Sequence, residues 1–385
     1  SLGPITGYRR ACTTPPASRS FYPGFHSEKI MKTALRLLYV PNERVEGSQI
    51  GPRKAFETLH AKGELTAYQA YSYLVRDKLA ASHADALTEM LALARDFRPD
   101  VIFIQRTTNA YPMDREYIRQ LKAVPGNPKL VLYEEDPYDP WIKRLDTTMR
   151  NVMAECDMAV LGGTGYLLDL ACKAGARKIR FAPHSYDSIR FDTPWTPTRA
   201  RKWDVVMIAN LTCLKRIPFL FMPGGRSRKQ AARRLYRYLG ERFALFGGGQ
   251  GWEGEPYCRG RISYDKQGEA IREAWMSVNW GQFDQIGMYC SDRLPISLAC
   301  GVPHITNYQP GYEHIYQNVP GLFVIKTPAE ATDVVLYLLS LPIDARIELG
   351  LKAAEHMRHH FHADKVYGNI LQTIKEELFP ELESV

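Results

Sequence analysis

Arg293, Glu313 and the glycines between them are the residues of this chain best suited to hold an anion. They lie in SDRLPISLACGVPHITNYQPGYEHIY, residues 291–316. Arginine is permanently charged, and its planar fork of donors matches phosphate oxygens. Ser291 adds a hydroxyl. Leu294, Ile296, Leu298 and Ala299 give a helical face, Gly301 suits a left-handed helix end, and 302–306 reads as a short strand. Pro310-Gly311 then turns the chain, and Tyr312-Glu313-His314 opens a second helix whose free N–H groups would face the same place. A permanent cation beside amide donors is an anion site, and phosphate is its commonest occupant. The expected lining is Ser291, Arg293, Gly301, Gly311, Tyr312 and Glu313.

Other groups could meet that site. FGGGQGW, residues 246–252, follows an apolar run, so Gly247 and Gly248 either bring backbone amides close to a ligand or merely make a tight turn. Lys215 and Arg216 follow another apolar run and could neutralise a diphosphate, or belong to a basic surface. Glu43, Arg44, Ser48, Gln49 and Arg53 occupy an early polar loop, where Ser48, Gln49 and Arg53 are candidate acceptor contacts. Glu134, Glu135 and Asp136 end a third apolar run, the position of a general base, a carboxylate pair for a divalent ion, or a solvated turn. His356 and His360 share a helix face, but no cysteine or carboxylate pattern accompanies them and they sit where a helix ends, so no metal site is expected.

These residues need a scaffold that gathers loops, and the chain spells one out. Apolar runs at 35–40, 101–105, 129–133, 158–161 and 179–183 alternate with helical patterns, among them one over 70–97. After 184–202, rich in Pro and charge, a second series follows with runs at 205–209, 243–246, 276–280 and 322–325. Such alternation predicts parallel, doubly wound α/β sheets, and ligands bind outside the carboxyl ends of their strands. The expected division is a loose leader at 1–30, an acceptor domain at 31–185, a linker at 186–202 and a donor domain at 203–362. The last segment, 363–385, is expected to be a helix packing back on the first domain.

With 385 residues, 45% hydrophobic and 24% charged, the chain has the composition of a globular protein with two domain-sized cores. No apolar run approaches the roughly 20 residues needed to span a bilayer. The net charge is +8, and residues 199–242 are dense in Lys and Arg with only Asp204 and Glu241 as acids. That stretch suggests an anionic partner or a peripheral membrane contact, or simply an exposed helix face. Seven scattered cysteines without paired spacing fit reduced thiols and a cytoplasmic setting.

DVVMIAN, FALFGGGQGW and SDRLPISLACGVPHITNYQPGYEHI together resemble GT-B glycosyltransferases, above all the spore-maturation-protein-like "glycosyl transferases group 1" branch. There the last segment runs Ser-x-Arg, a Phe-Glu pair, Ala-Cys-Gly, a short strand and Pro-Gly-x-Glu. Ser291, Arg293, Ala299, Cys300, Gly301, Pro310, Gly311 and Glu313 match it, and the likeness covers about residues 204–365. Ile296 occupies the place of a family glutamate that contacts the donor ribose, and Met288 that of a second glutamate in some relatives. The resemblance thus implies a donor held through other groups.

It also implies two Rossmann-like domains facing a cleft, with no bound metal or cofactor. The reaction implied is transfer of a sugar from a nucleotide-diphosphate sugar to a glycan, lipid, small molecule, protein or modified DNA. Arg293 would stabilise the leaving diphosphate. A retaining reaction needs no dedicated base, whereas an inverting one takes a base from the first domain, with Asp136, Glu43 and His60 as candidates. A non-catalytic nucleotide- or sugar-binding relative and a sugar-nucleotide epimerase share the architecture.

Overall fold

The continuous apolar runs become the buried strands. A computed structural model describes residues 34–380 apart from 193–195, 215–216, 218–219 and 284–285. The first half contains β1 (Leu35–Val40), β2 (Leu65–Ala70), β3 (Val101–Gln105), β4 (Lys129–Glu134), β5 (Met158–Leu161) and β6 (Ile179–Phe181). They form one sheet in the order β2-β1-β3-β4-β5-β6, every neighbouring pair parallel.

The second half contains β7 (Trp203–Ile208), β8 (Phe243–Phe246), β9 (Ala274–Asn279), β10 (His304–Asn307) and β11 (Leu322–Ile325). Their order is β11-β10-β9-β7-β8, again parallel throughout. Parallel neighbours need crossovers, and the intervening helices supply them on both faces. VIFIQ and AWMSVN are accordingly buried along their whole length.

One expected element divides differently. Instead of a helix over 70–97 there is the edge strand β2, then helices Tyr73–Leu79 and His83–Phe97. In LTAYQA only Leu65 is fully buried, because an edge strand has a neighbour on one side alone. The two helices separate at Ser82, whose side chain accepts from the Asp85 N–H and so starts the second one.

The end of the chain completes the first half. Helix Ala363–Leu378 lays Val366, Tyr367, Ile370, Leu371, Ile374 and Leu378 against Phe56, Phe103 and Tyr133. The Tyr367 ring meets Phe56 at 5.2 Å and Tyr133 at 5.9 Å between centroids, both edge-on. To reach this position the chain crosses between the sheets a second time, beside its first crossing. The Tyr186 N–H donates to the Phe361 carbonyl at 3.1 Å, and Arg358 grips Asp192 through two bonds of 2.9 and 2.7 Å.

The basic stretch is not a bare cationic face. Arg199 pairs with Asp344, Lys202 with Glu273 at 3.7 Å, and Arg242 with Asp204 at 2.7 Å. Lys229 and Arg233 both pair with Glu255, at 3.0 and 2.7 Å. Acids distant in sequence neutralise much of what looked like excess charge. Among the described residues no helix is long and apolar enough to cross a membrane, and no disulfide forms.

Candidate active site

Loops at the carboxyl ends of both sheets meet. The Thr164 N–H, from the loop after β5, donates to the Gly287 carbonyl at 2.6 Å. The His184 ring stands edge-on to Tyr289 at 5.7 Å. Behind that contact a buried polar chain leads into the first sheet. His184 Nδ1 lies 3.3 Å from the Glu135 carboxylate and Nε2 lies 3.1 Å from the Glu135 carbonyl. Gln105 donates to the other Glu135 oxygen at 2.9 Å and accepts from the Tyr39 hydroxyl at 2.5 Å. His184 therefore acts as a strut where the two halves touch.

On the second sheet, Arg293 opens helix Arg293–Ala299 and its Nη1 donates to Asp292 Oδ1 at 2.5 Å. The Ser291 hydroxyl donates to the same oxygen at 3.0 Å. Burial opposes charge on Asp292, but Arg293, His184 and Ser291 outweigh it and hold its carboxyl below the ordinary range. Asp292 in turn raises the Arg293 guanidinium, whose Nε is buried without a partner.

Beside this pair stands a cation that motif reading did not single out. Arg228, in the first turn of helix Gly225–Leu239, is only 5% exposed. Its Nε donates to the Trp280 carbonyl at 2.6 Å and its Nη1 to the Asn210 carbonyl at 2.5 Å, with no carboxylate in either bond. Burial, reinforced by Arg293, lowers its guanidinium to about 9. No side chain caps the start of that helix, so its first N–H groups add positive potential at the same edge. Two neighbouring guanidiniums, one of them paired with a carboxylate, at a helix start, can neutralise a diphosphate.

The glycine loop serves packing first. A Cβ on Gly247 would lie 1.9 Å from the Ala209 carbonyl oxygen, and Gly249, at φ 104°, presses on the Leu211 carbonyl. The Gly248 N–H is taken by the Asn210 side chain at 2.8 Å. The loop thus seats the ends of β7 and β8 together, and Gly247, Gly249, Gln250, Trp252, Glu253, Cys258 and Arg261 surround a cavity of about 320 Å³ beside it.

The stretch 291–316 does not form a single pocket. Gly301 lies at the far end of the helix from Arg293 and just before β10, at the sheet's amino-terminal edge. The expectation that Gly301 lines the same place as Arg293 is corrected: the length of a helix separates the two. Helix Tyr312–Ile315 is a single turn. Gly311, at φ 87°, packs on Met288, and the buried Tyr312 donates to the Tyr289 carbonyl at 2.7 Å. Glu313 accepts from the Tyr308 hydroxyl at 3.1 Å and lines a cavity of about 280 Å³ with Tyr308, Tyr316 and Lys326. Ile296 is wholly buried, in the apolar cluster that also holds Ile208, Leu294 and Tyr316, and presents nothing to the cleft. Lys215 and Arg216 lie outside the described residues.

On the first sheet, Glu43 organises its own loop rather than standing free as a base. It accepts from Arg53 at 2.5 and 3.2 Å, Ser72 at 2.5 Å, and the N–H groups of Gly47 and Gln49 at 3.2 and 3.1 Å. Gln49 also donates to the Asn42 carbonyl at 2.8 Å, and the Ser48 carbonyl accepts from Arg190 at 3.2 Å. The side chains of Gln49 and Arg53 are thus committed within the loop, and Ser48 is tied through its backbone. His60 faces the Leu65 carbonyl at 2.9 Å, at the amino-terminal start of β2 and away from the carboxyl edge. Of the three candidate bases, Asp136 alone is partly open at the carboxyl edge, held by Arg106 and by Lys143 at 2.7 Å.

The Glu43 cluster yields a pH prediction. Burial alone would raise its carboxyl, but Arg53, Ser72 and the two amides prevail and hold it low. A lowered folded value stabilises above the unfolded carboxyl range and is lost as pH falls through the folded one. Glu43→Gln should cost about 1–3 kcal/mol at pH 7, with the gap to wild type closing below pH ~4. Urea melts across that range check it, and a gap independent of pH refutes it.

The rings of His356 and His360 lie 4.5 Å apart and tilted by 46°, and burial lowers both. Among the described residues no group of three or more His, Cys, Asp or Glu side chains is placed to hold a metal ion.

Two facing parallel sheets, with the last helix returned to the first, constitute a known arrangement. A glycosyltransferase from Rickettsia africae superposes with a TM-score of 0.59 at 12% identity, over 90% of this chain and 99% of its own. Anabaena HepE, solved with UDP and glucose, gives 0.57 at 12% identity over 89% and 99%. Sucrose-phosphate synthase from Thermosynechococcus elongatus gives 0.58 at 14% identity over 90% and 100%. The fold is GT-B. Within this GT-B chain, residues 226–375 match a family model described as glycosyl transferase-like, a segment that starts two residues before Arg228. No curated protein matches the chain by sequence.

Proposed function

We propose that the protein transfers a sugar from a nucleotide-diphosphate sugar to an acceptor held by the first domain. The observation that carries this reading is Arg228, buried, bonded among the described residues to carbonyls alone, and beside Arg293. A buried guanidinium without a carboxylate is costly unless a ligand supplies the negative charge. Breaking the anomeric C–O bond leaves that charge on a diphosphate, and cations fixed beforehand need no reorganisation to receive it. The match of residues 226–375 to the glycosyl transferase-like model supports the same reading, and the matched segment contains both arginines.

In this proposal the two guanidiniums and the helix start at Gly225 neutralise the leaving group, so the nucleotide sugar is a co-substrate and no metal or other cofactor enters. UDP-linked sugars are the first donors to test, because HepE shares the fold and was solved with UDP. The test is a thermal-shift panel of UDP-, GDP-, dTDP- and CMP-linked sugars, followed by sugar analysis. One base should stabilise the protein, and the sugar should be released or transferred with its configuration at the other carbons kept. No shift with any donor, or epimerised sugar without transfer, would sink the reading.

A further inference from the structure

The loop between β4 and helix Thr147–Glu155 differs from the rest of the first domain's carboxyl edge. Asp139 Oδ1 accepts from the N–H groups of Trp141 and Ile142, both at 2.8 Å. The Asp139 N–H donates to the Lys143 carbonyl at 3.0 Å, and Arg144 Nε to the Pro140 carbonyl at 2.9 Å. These bonds close 139–144 into a preformed turn. At its tip Trp141 is 80% exposed, the highest value among the large hydrophobic side chains described. An indole presented to water from an ordered turn offers a stacking plane to a flat, partly apolar partner.

The base of the turn carries charge in excess. Lys143 Nζ donates to Asp136 Oδ2 at 2.7 Å, and Arg106 donates to that same oxygen. Arg106 Nε is buried without a partner, and its backbone is left-handed at φ 41°, a conformation disfavoured for residues with a side chain. The nearby acids have partners of their own: Glu135 accepts from Gln105 and lies beside His184. Glu134 is wholly buried and raised by that burial towards its neutral form, accepting from the Tyr138 hydroxyl at 2.8 Å and the Asp136 N–H at 2.7 Å. Asp146 accepts from the N–H groups of Met149 and Asn109, and Asp139 from those of the turn. Burial, with Arg106 adding to it, pushes the Lys143 ammonium down, although it also lies over the Tyr138 ring at 5.1 Å.

We propose that this corner binds an anionic saccharide, its ring stacked on Trp141 and its phosphate or carboxylate set between Arg106 and Lys143 in competition with Asp136. The inference rests on the glycosyl-transfer reading and assigns the class of its acceptor. The planar fork of Arg106 and the point charge of Lys143 suit a tetrahedral or planar anion, while a neutral sugar would leave both cations to Asp136.

Calorimetric titration of the full chain with glucose 6-phosphate, glucuronate, glucose and inorganic phosphate tests this, with phosphatidylglycerol vesicles as a separate arm. The two charged sugars should bind at least about tenfold tighter than glucose. Lys143→Gln should erase that preference and Lys143→Arg restore it. Trp141→Ala should weaken every sugar by about tenfold, and Asp136→Asn should tighten the charged ones. Equal binding of glucose and its phosphate overturns the proposal. So does inorganic phosphate matching glucose 6-phosphate with Trp141→Ala silent, or vesicle binding without saccharide binding, which would make the corner a lipid contact. The nucleotide-sugar panel on wild type separates the two readings. A donor that binds while charged and neutral sugars bind alike refutes the acceptor class alone, whereas no donor binding refutes glycosyl transfer.

Discussion

Arg228→Met should fold and lose donor turnover by about 10²- to 10³-fold, the usual effect of deleting one preorganised donor to a developing anion. The loss should appear in nucleotide-sugar affinity as well as in turnover, because the diphosphate is charged in both the ground and transition states. Arg228→Lys should recover only part of it. Lysine keeps the charge but carries its donors on a single nitrogen, whereas arginine reaches the Trp280 and Asn210 carbonyls from two separate nitrogens of a planar fork. Among the described residues the side chain is in no carboxylate pair, so its removal strands no described opposite charge, unlike Arg293→Ala, which would leave the partly buried Asp292 without its cation. Arg228 is therefore the cleaner probe. A folded Arg228→Met protein with wild-type donor affinity would remove the diphosphate assignment.

Ending the chain at Phe361 should abolish cooperative folding of the first domain. Val366, Tyr367, Ile370, Leu371, Ile374 and Leu378 would all be lost from the face shared with Phe56, Phe103 and Tyr133. Each buried apolar side chain contributes about 1.5–3 kcal/mol, and together they match or exceed the net stability of about 5–15 kcal/mol typical of a domain. The truncated chain should lose its near-ultraviolet circular dichroism from the first-domain tyrosines and bind an apolar dye. Tyr367→Ala is the graded form of the experiment, expected to cost about 3–5 kcal/mol like other large aromatic truncations. A truncated protein melting cooperatively at the wild-type temperature would refute the shared core.

Much of this architecture was legible because parallel strands covered on both faces leave unbroken apolar runs. LRLLYV, VIFIQ and KLVLYE could hardly be anything else. β2 was not legible, since LTAYQA buries mainly Leu65 and its polar positions blend into the following helix. The site was harder. Arg293 was found because a motif surrounds it, while Arg228 looks like its neighbours Arg226 and Lys229. What distinguishes it is the carbonyls of Asn210 and Trp280, brought from other loops. Gly301 shows the opposite error, in which residues close in sequence are parted by a helix. Asp136 was visible at the end of β4, but its partners Arg106 and Lys143 come from another strand and from a turn whose shape depends on Asp139.

The return of the last helix also sets an order of events during synthesis. β6 ends at Phe181 and the helix that covers this sheet begins at Ala363. At about 5–20 residues per second, one face of the first-made sheet, covered only in part by the helix bearing Phe56, stays incomplete for roughly ten to forty seconds. Over the same interval the second sheet acquires every strand it needs. The half that leaves the ribosome first is thus the last to close, and an apolar surface bearing Phe56, Phe103 and Tyr133 is on offer to chaperones until the final helix arrives.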